Sequence, residues 1–183
     1  MTRQTGFTVT ELMVVVAIVA ILLGIGVPSY RYITNAYRMS AEVNGLLGDL
    51  QYARSEAIKE GQTVTTCVSK DGIACTGTGV TAWANGWIVF SDPNTNATVD
   101  AGETVLRVQG PFRGQVPDTF NATPNVTAIT YNREGFASTA AGFVTTTITL
   151  QDSTANGAWT RCLVIAPATP LSTQTHAINP GIC

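Results

Sequence analysis

The sequence is poor in charge and in histidine, which excludes several classes of function. Only 12% of its 183 residues are Asp, Glu, Lys or Arg, and the formal net charge is −2. No run of Lys and Arg offers an electrostatic footprint for nucleic acid or anionic lipid. The single histidine, His176, provides neither a His pair for a metal nor a catalytic triad. We interpret Glu134 and Asp152 as turn residues, and we expect neither enzymatic activity nor a cofactor.

The cysteines lack the C-x-x-C spacing of zinc and redox sites. Cys67, Cys75, Cys162 and Cys183 all follow the apolar N-terminal segment. An even number of cysteines with a single histidine favours two disulfides in an oxidising compartment. Pairing Cys67 with Cys75 and Cys162 with Cys183 keeps both loops short, whereas the other two connectivities tie the start of the predicted sheet to its end. Loops of these lengths predict a stabilisation of roughly 2.5–3.5 kcal/mol.

The N-terminal segment lacks charge over a long stretch. Residues 12–27 are apolar, and counted from Phe7 the hydrophobic length is about 21 residues, roughly 32 Å as a helix, enough to cross a bilayer. Glu11 is the only charge inside that span. A carboxylate there costs roughly 2–3 kcal/mol and needs a partner. The alternative is that Glu11 lies in the membrane interface and favours the helix N-terminus electrostatically.

The residues before this span form a short polar leader, residues 1–6, which contains Arg3. An ordinary secretory signal has its small-residue cleavage site after the apolar run, where VPSY is a poor site. The stretch GFTVTELMVVVAIVAIL instead resembles the class III leader of type IV pilins and pseudopilins. This resemblance implies that a prepilin peptidase cuts between Gly6 and Phe7 on the cytoplasmic side and methylates the new amine. It also implies that Glu11 pairs with the N-terminal amine of a neighbouring subunit in a filament.

Helical spacing continues beyond the apolar run. Pro28 follows two glycines and predicts a bend rather than an end, and Gly61 is a natural C-terminal cap. We therefore predict one interrupted helix from Thr8 to Glu60, whose second half lays an apolar stripe on a globular head. The predicted stripe consists of Val43, Leu46, Leu47, Leu50, Ala53, Ala57 and Ile58.

After Gly61 the sequence changes to short segments rich in Thr and Val, separated by turns rich in Gly, Asn and Pro. This pattern predicts six or seven strands and an α+β fold, with one long helix packed against an antiparallel sheet. We divide the chain into a leader (1–6), a transmembrane or filament-core helix (7–28), its amphipathic continuation (29–61) and a β-rich head (62–183). The strand candidates are Val64–Val68, Gly86–Phe90, Thr104–Val108, Ala128–Tyr131, Phe143–Leu150 and Trp159–Ile165.

The head resembles the GspH/FimT family of pseudopilins and minor pilins. The likeness rests on ARSEAIKEGQTVTTCVSKDG, WANGWIVFSDPNTNATVDAGETVLRV, ITYNREGFA and RCLVI, and it covers nearly the whole chain. It implies a type IV pilin-like fold and a minor component at or near a filament tip, with other pilins as partners.

The filament is either a type IV pilus, which we favour, or a type II secretion pseudopilus. The resemblance places the subunit in the inner membrane with its head in the periplasm, and then in the pilus. We interpret Trp83 and Trp87 as strand aromatics packed on the helix.

A DNA receptor is the rival hypothesis, because some FimT-type minor pilins are thought to bind DNA through a basic C-terminal motif. No Lys or Arg lies between the last two cysteines, at residues 162 and 183. In the predicted head, five basic side chains stand against seven acidic ones. Phosphate binding therefore requires a fold that gathers Arg107, Arg113 and Arg133.

One loop has the spacing of an EF-hand calcium site. Its oxygen-bearing side chains stand at relative positions 1, 3, 5, 9 and 12. Against calcium, Ala97 occupies the place of the usual glycine, Pro93 is stiff, and predicted strands flank the loop. An Asx-rich turn forms without an ion, so we favour the turn and keep calcium as its alternative. The residues are Asp92, Asn94, Asn96, Asp100 and Glu103.

Overall fold

The computed structural model describes residues 6–76, 83–112, 118–140, 142–176, 178 and 183. The chain divides into two compact units at the junction of Tyr37 and Arg38. One helix, α1 (Val9–Glu60), runs through this junction, and short strands and a 3-10 turn (Trp83–Asn85) follow it. Of the predicted leader, only Gly6 lies within the described residues.

Helix α1 confirms the predicted long helix to within one residue at its start. Thr8 caps the helix, since its Oγ1 accepts a hydrogen bond from the backbone N–H of Glu11 at 3.3 Å. Gly61 ends it with a φ of +67°, the left-handed conformation that glycine adopts at this position. Pro28 lies inside the helix without ending it. By length and composition, α1 is able to cross a membrane.

The head contains two antiparallel sheets rather than the single sheet predicted. Its described strands are β1 (Val64–Val68), β2 (Trp87–Ser91), β3 (Val105–Gln109), β4 (Thr119–Thr123), β5 (Ala128–Tyr131), β6 (Ala137–Ser138), β7 (Thr146–Gln151), β8 (Arg161–Ile165) and β9 (Ser172–Thr175). The first sheet has the order β3-β2-β1-β5-β6, and the second has the order β4-β7-β8-β9. Neighbouring strands pair antiparallel throughout both sheets.

The prediction of six or seven strands was wrong, because β4, β6 and β9 escaped it. Strand β9 (STQT) contains no apolar residue and pairs with β8 alone, so nothing in its composition distinguishes it from a loop. Strand β4 alternates exposed and buried residues, but only Phe120 and Ala122 carry that pattern. Strand β6 has two residues. Two predicted strands also begin two or three residues later than expected, β7 at Thr146 and β8 at Arg161.

One core joins α1 to both sheets. The helix contributes a stripe of buried residues from Met39 to Ala57, each at most 2% exposed. The first sheet adds side chains from β1, β2 and β5, and the second adds side chains from β4, β7 and β8. Burial of this much apolar surface is the main favourable term in folding, so the helix and the two sheets stabilise one another.

Two details of the predicted helix packing were wrong. Ile58 is 53% exposed, because it follows the buried Ala57 by one residue and so points about 100° away around the helix. Met39 is fully buried and extends the stripe by one turn.

Trp83 is buried as predicted, but it lies in a 3-10 turn rather than in a strand. Its indole N–H donates to the Val126 carbonyl at 3.1 Å.

Polar contacts connect α1 to the strands and loops of the head. Asp49 accepts a hydrogen bond from the Trp87 indole N–H at 2.8 Å and another from the Arg107 guanidinium at 2.9 Å. The Arg107 guanidinium also lies 3.8 Å from the ring centroid of Tyr52, within cation–π distance. Asp49 thus satisfies a largely buried indole and an ion pair at the same time.

A second polar connection joins α1 to the segment just before β4. Arg38 donates to both Glu42 on α1 and Asp118, just before β4. Burial raises the pKa of Glu42, although the charge of Arg38 and its hydrogen bond act in the opposite direction. Asp118 is itself buried, so the guanidinium compensates for the cost of removing its carboxylate from water.

We expect Asp49→Ala to lower the free energy of unfolding by about 2 kcal/mol, because it leaves the buried Trp87 indole N–H without an acceptor. Asp49→Asn keeps an oxygen for that indole and loses the half-exposed ion pair, so its cost should be about 1 kcal/mol or less. The measurement is urea unfolding of the detergent-solubilised chain, followed by tryptophan fluorescence. Equal losses in the two variants would contradict the assigned role of the indole hydrogen bond.

Candidate functional site

The start of α1 brings together the three predicted residues of the processing and assembly site. Gly6 and Phe7 precede the helix, and Phe7 is 81% exposed. Glu11 lies in the first turn and is exposed. Thr8 and Glu11 have the T-x-x-E spacing of a capping box, a signal that lies in the sequence but was not used to predict the helix start. The cap fixes where the helix begins and therefore places Glu11 in its first turn.

Glu11 is followed by a continuous apolar surface. Every large apolar side chain from Leu12 to Val27 is at least 45% exposed. Exposed apolar surface of this extent marks a membrane or protein interface. Within the described residues, the Glu11 carboxylate takes part in no ion pair. The arrangement is therefore one carboxylate at the edge of a charge-free surface.

The structure contains two disulfides, and they are the pairs expected from the loop lengths. Cys67 in β1 is joined to Cys75, and Cys162 in β8 is joined to Cys183, with a Cα–Cα distance of 5.6 Å in each pair. The first disulfide holds the loop that follows β1 against the outer face of the first sheet. The second attaches the last residue of the chain to the second sheet.

The predicted calcium loop is held by its own hydrogen bonds. Asp92 is fully buried, and its carboxylate accepts bonds from the backbone N–H groups of Asn96 and Ala97 and from the Thr65 hydroxyl. The amide groups of Asn94 and Asn96 both donate to Asp100, at 2.9 and 2.7 Å, and thereby lower the pKa of its carboxyl group.

The polar side chains of this loop therefore face one another and the backbone as they do in an Asx turn. Glu103 accepts a hydrogen bond from the Asp100 backbone N–H at 3.0 Å, and it too serves the turn. In the part of the chain that the structure describes, no group of three or more His, Cys, Asp or Glu side chains is arranged to hold a metal ion. Calcium binding stays a prediction.

Two of the three basic side chains required for phosphate binding, Arg107 and Arg133, are not brought together. Arg107 is in β3 and Arg133 follows β5, so the strand order places them toward opposite edges of the first sheet. Arg107 is paired with Asp49, and Arg133 with Glu134. Arg113 lies outside the described residues.

A groove of about 680 Å³ lies on the outer face of the first sheet, between the disulfide loop and the Asx-rich loop. Its described lining consists of Thr, Ser, Asn, Ala, Val, Pro and the first disulfide, with no charged or aromatic side chain. It therefore offers no cation to a phosphate.

Glu134 and Asp152, the two carboxylates considered for catalysis, lie in the turns that follow β5 and β7. Glu134 pairs with its neighbour Arg133 at 2.7 Å, which lowers the pKa of the Glu134 carboxyl group. Asp152 is buried and accepts hydrogen bonds from the Thr154 hydroxyl and the Asn156 backbone N–H. These contacts stabilise turns, as the sequence predicted.

Two family models match this chain and together span most of its length. Residues 42–169 match the family described as type II transport protein GspH. Residues 1–27 match the prokaryotic N-terminal methylation motif. Among curated protein sequences, none matches this chain.

Two crystal structures of the type IV minor pilin FimU of Pseudomonas aeruginosa strain PAO1 have a similar fold. The P21 form gives a TM-score of 0.58 at 19% identity and covers 79% of this chain and 94% of that chain. The P65 form gives 0.54 at 18% identity and covers 75% and 94%. The likeness confirms the predicted type IV pilin-like fold.

We predict that the purified protein has no free thiol and that its disulfides are Cys67–Cys75 and Cys162–Cys183. Reduction of both should lower the free energy of unfolding by about 3 kcal/mol or more, because the unfolded chain gains conformational freedom. Thiol titration under denaturing conditions and peptide mapping without reduction test the pairing. A peptide that joins Cys67 to Cys162 or Cys183 would refute it.

Proposed function

Because the chain belongs to the GspH family, we propose that it is a minor pilin of a type IV pilus, which enters the filament at or near the tip and primes assembly. The observation that carries this proposal is the position of Glu11, one carboxylate at the edge of a long exposed apolar helix surface. The N-terminal methylation motif supports it independently. The protein acts as a structural subunit, and its reactions are those in which it is the substrate.

The first step is processing by a prepilin peptidase. The peptidase cuts between Gly6 and Phe7 on the cytoplasmic side and methylates the Phe7 amine. Both residues precede the helix, and Phe7 is exposed, so the scissile bond is accessible to an enzyme. The processed subunit waits in the inner membrane as a single-pass protein with its head in the periplasm.

The second step is docking into the filament. The apolar surface of residues 12–27 leaves lipid for a bundle of other pilin helices. Glu11 meets an N-terminal amine of a neighbouring subunit, and the two opposite charges compensate each other in an apolar environment. A single charge in an otherwise charge-free surface fixes the register of the subunit, because any other register leaves the carboxylate without a partner.

A type II secretion pseudopilin is the second candidate, since the matching family is described as a type II transport protein. Processing and docking at Glu11 would be the same in that filament. The fold shared with the minor pilin FimU and the two disulfides of the head favour the pilus. Recovery of the protein in sheared pili, against loss of protein secretion in a deletion strain, distinguishes the two.

DNA binding is the weaker alternative. Arg107 and Arg133 each pair with a carboxylate, and no Lys or Arg lies between Cys162 and Cys183. An electrophoretic mobility shift at low salt tests it, and a salt-sensitive complex would support it.

We expect Gly6→Val to accumulate as an uncut precursor in the membrane, because a β-branched side chain obstructs the peptidase at the scissile bond. Among the described residues other than its chain neighbours, no atom lies within 4 Å of a Cβ placed at Gly6, so the substitution meets no steric obstacle there. Gly6→Ala is the matched control and should retain more processing. Mass spectrometry reads the N-terminus, and a mature chain starting at Phe7 in Gly6→Val would contradict the assignment.

We expect Glu11→Leu to be cleaved and inserted normally but to fall roughly tenfold or more in sheared pili relative to membrane, because the neighbour's amine loses its partner in an apolar bundle. Glu11→Gln should share the defect, since it keeps the shape and removes the charge. Thr10→Val, one residue away, is the matched control and should assemble like wild type. Equal pilus-to-membrane ratios for Glu11→Leu and wild type would exclude Glu11 as the docking residue.

A further inference from the structure

Three of the five tyrosines of the chain lie within eight residues of one another on α1, directly after the apolar surface. Tyr30, Tyr32 and Tyr37 are 70%, 51% and 73% exposed. Arg31 lies between the first two. Tyrosine rings with one apolar body and one polar tip are enriched where a helix leaves a bilayer, and an adjacent Arg extends its guanidinium toward water.

The spacing separates these tyrosines into two groups. The apolar run ends at Val27, so Tyr30 lies about 4–5 Å and Tyr32 about 7–8 Å beyond it along the helix axis. The headgroup layer on each side of a bilayer is about 5–8 Å thick. Tyr30 and Tyr32 therefore fall within that layer, whereas Tyr37, about 15 Å beyond Val27, lies outside it.

We propose that Tyr30, Arg31 and Tyr32 form an interfacial anchor that binds the phospholipid headgroup layer and fixes the depth of α1 in the bilayer before assembly. The inference rests on the membrane insertion in the proposed function. Two residues apart on a helix, Tyr30 and Tyr32 point about 200° from each other. The anchor thus holds the helix from opposite sides.

The anchor has a consequence for Glu11 at the other end of the span. Val27 lies 16 residues beyond Glu11, about 24 Å along a helix, whereas the hydrocarbon core is roughly 30 Å thick. With Val27 at one boundary, Glu11 therefore lies about 6 Å inside the opposite boundary. At this depth the carboxylate of the waiting subunit is close to the headgroup layer and its water until a neighbouring amine pairs with it.

Depth-dependent fluorescence quenching tests the anchor. Full-length Tyr30→Trp and Tyr37→Trp are reconstituted in phosphatidylcholine and phosphatidylglycerol vesicles containing lipids with a nitroxide near the headgroup or deep in the acyl chain. Wild type, with its three tryptophans in the head, sets the background. The shallow nitroxide should quench Tyr30→Trp most, and Tyr37→Trp should stay at background. Stronger quenching of Tyr30→Trp by the deep nitroxide, or the same behaviour in both variants, would overturn the anchor.

Labelling at the opposite end of the helix tests whether the anchor sets the depth. Thr10→Cys is a single accessible thiol, because Cys67, Cys75, Cys162 and Cys183 are paired. In inverted membrane vesicles, Tyr30→Leu with Tyr32→Leu should raise its labelling by an impermeant maleimide several-fold, since the leucines enter the hydrocarbon and move the other end outward. Tyr37→Leu is the control and should leave labelling unchanged.

An unchanged rate of maleimide labelling in the double variant overturns the inference. Failure of the wild-type protein to float with vesicles instead overturns the membrane insertion of the proposed function.

Discussion

The head of this protein depends on burial of one helical stripe, from Met39 to Ala57, against two sheets at once. Neither sheet covers its own inner face, and β1 and β2 are buried along their full length because α1 lies on one side and two loops lie on the other. Along the stripe the larger side chains come first and the small side chains of Ala53 and Ala57 come last, and both alanines are fully buried. The polar contacts of Asp49 and Arg38 then fix the rotation of the helix, because each satisfies a partner that is at least partly buried.

The first part of the same helix carries the surface proposed for membrane insertion and docking, and there the apolar side chains are exposed instead of buried. From Leu12 to Val27 its apolar side chains are exposed, and burial has to come from lipid or from other helices. This explains how a chain with so little charge uses the charges it has. Arg38, Arg107 and Arg133 pair with carboxylates in the head, and Glu11 is left at the start of the charge-free surface. In the proposed function, a carboxylate in that place makes docking specific in a way that apolar packing alone does not.

The Asx-rich loop of the head shows that the surroundings of a motif decide which contacts its side chains make. The spacing of Asp92, Asn94, Asn96, Asp100 and Glu103 suits a calcium ion, but Asp92 is turned inward onto Thr65 and the backbone of its own loop. The amide groups then point their N–H donors at Asp100. Spacing determines which side chains can meet, whereas the burial of Asp92 determines which of their atoms do.

The sequence by itself determined the long helix, the α+β class and most strands, because periodicity and caps are local properties of the chain. The leader motif is equally local, and the site it predicts at Gly6, Phe7 and Glu11 stays a prediction. The sequence predicted the short disulfide loops for the same reason. The division into two sheets and the strands β4, β6 and β9 were decided only by tertiary structure, since β9 has no apolar pattern and forms by pairing with β8. Met39 and Ile58 were likewise decided by packing, because a helical stripe has no fixed edge until the surface that covers it is known. The separation of Arg107 from Arg133 depends on strand order, which brings distant segments together and which no local pattern specifies.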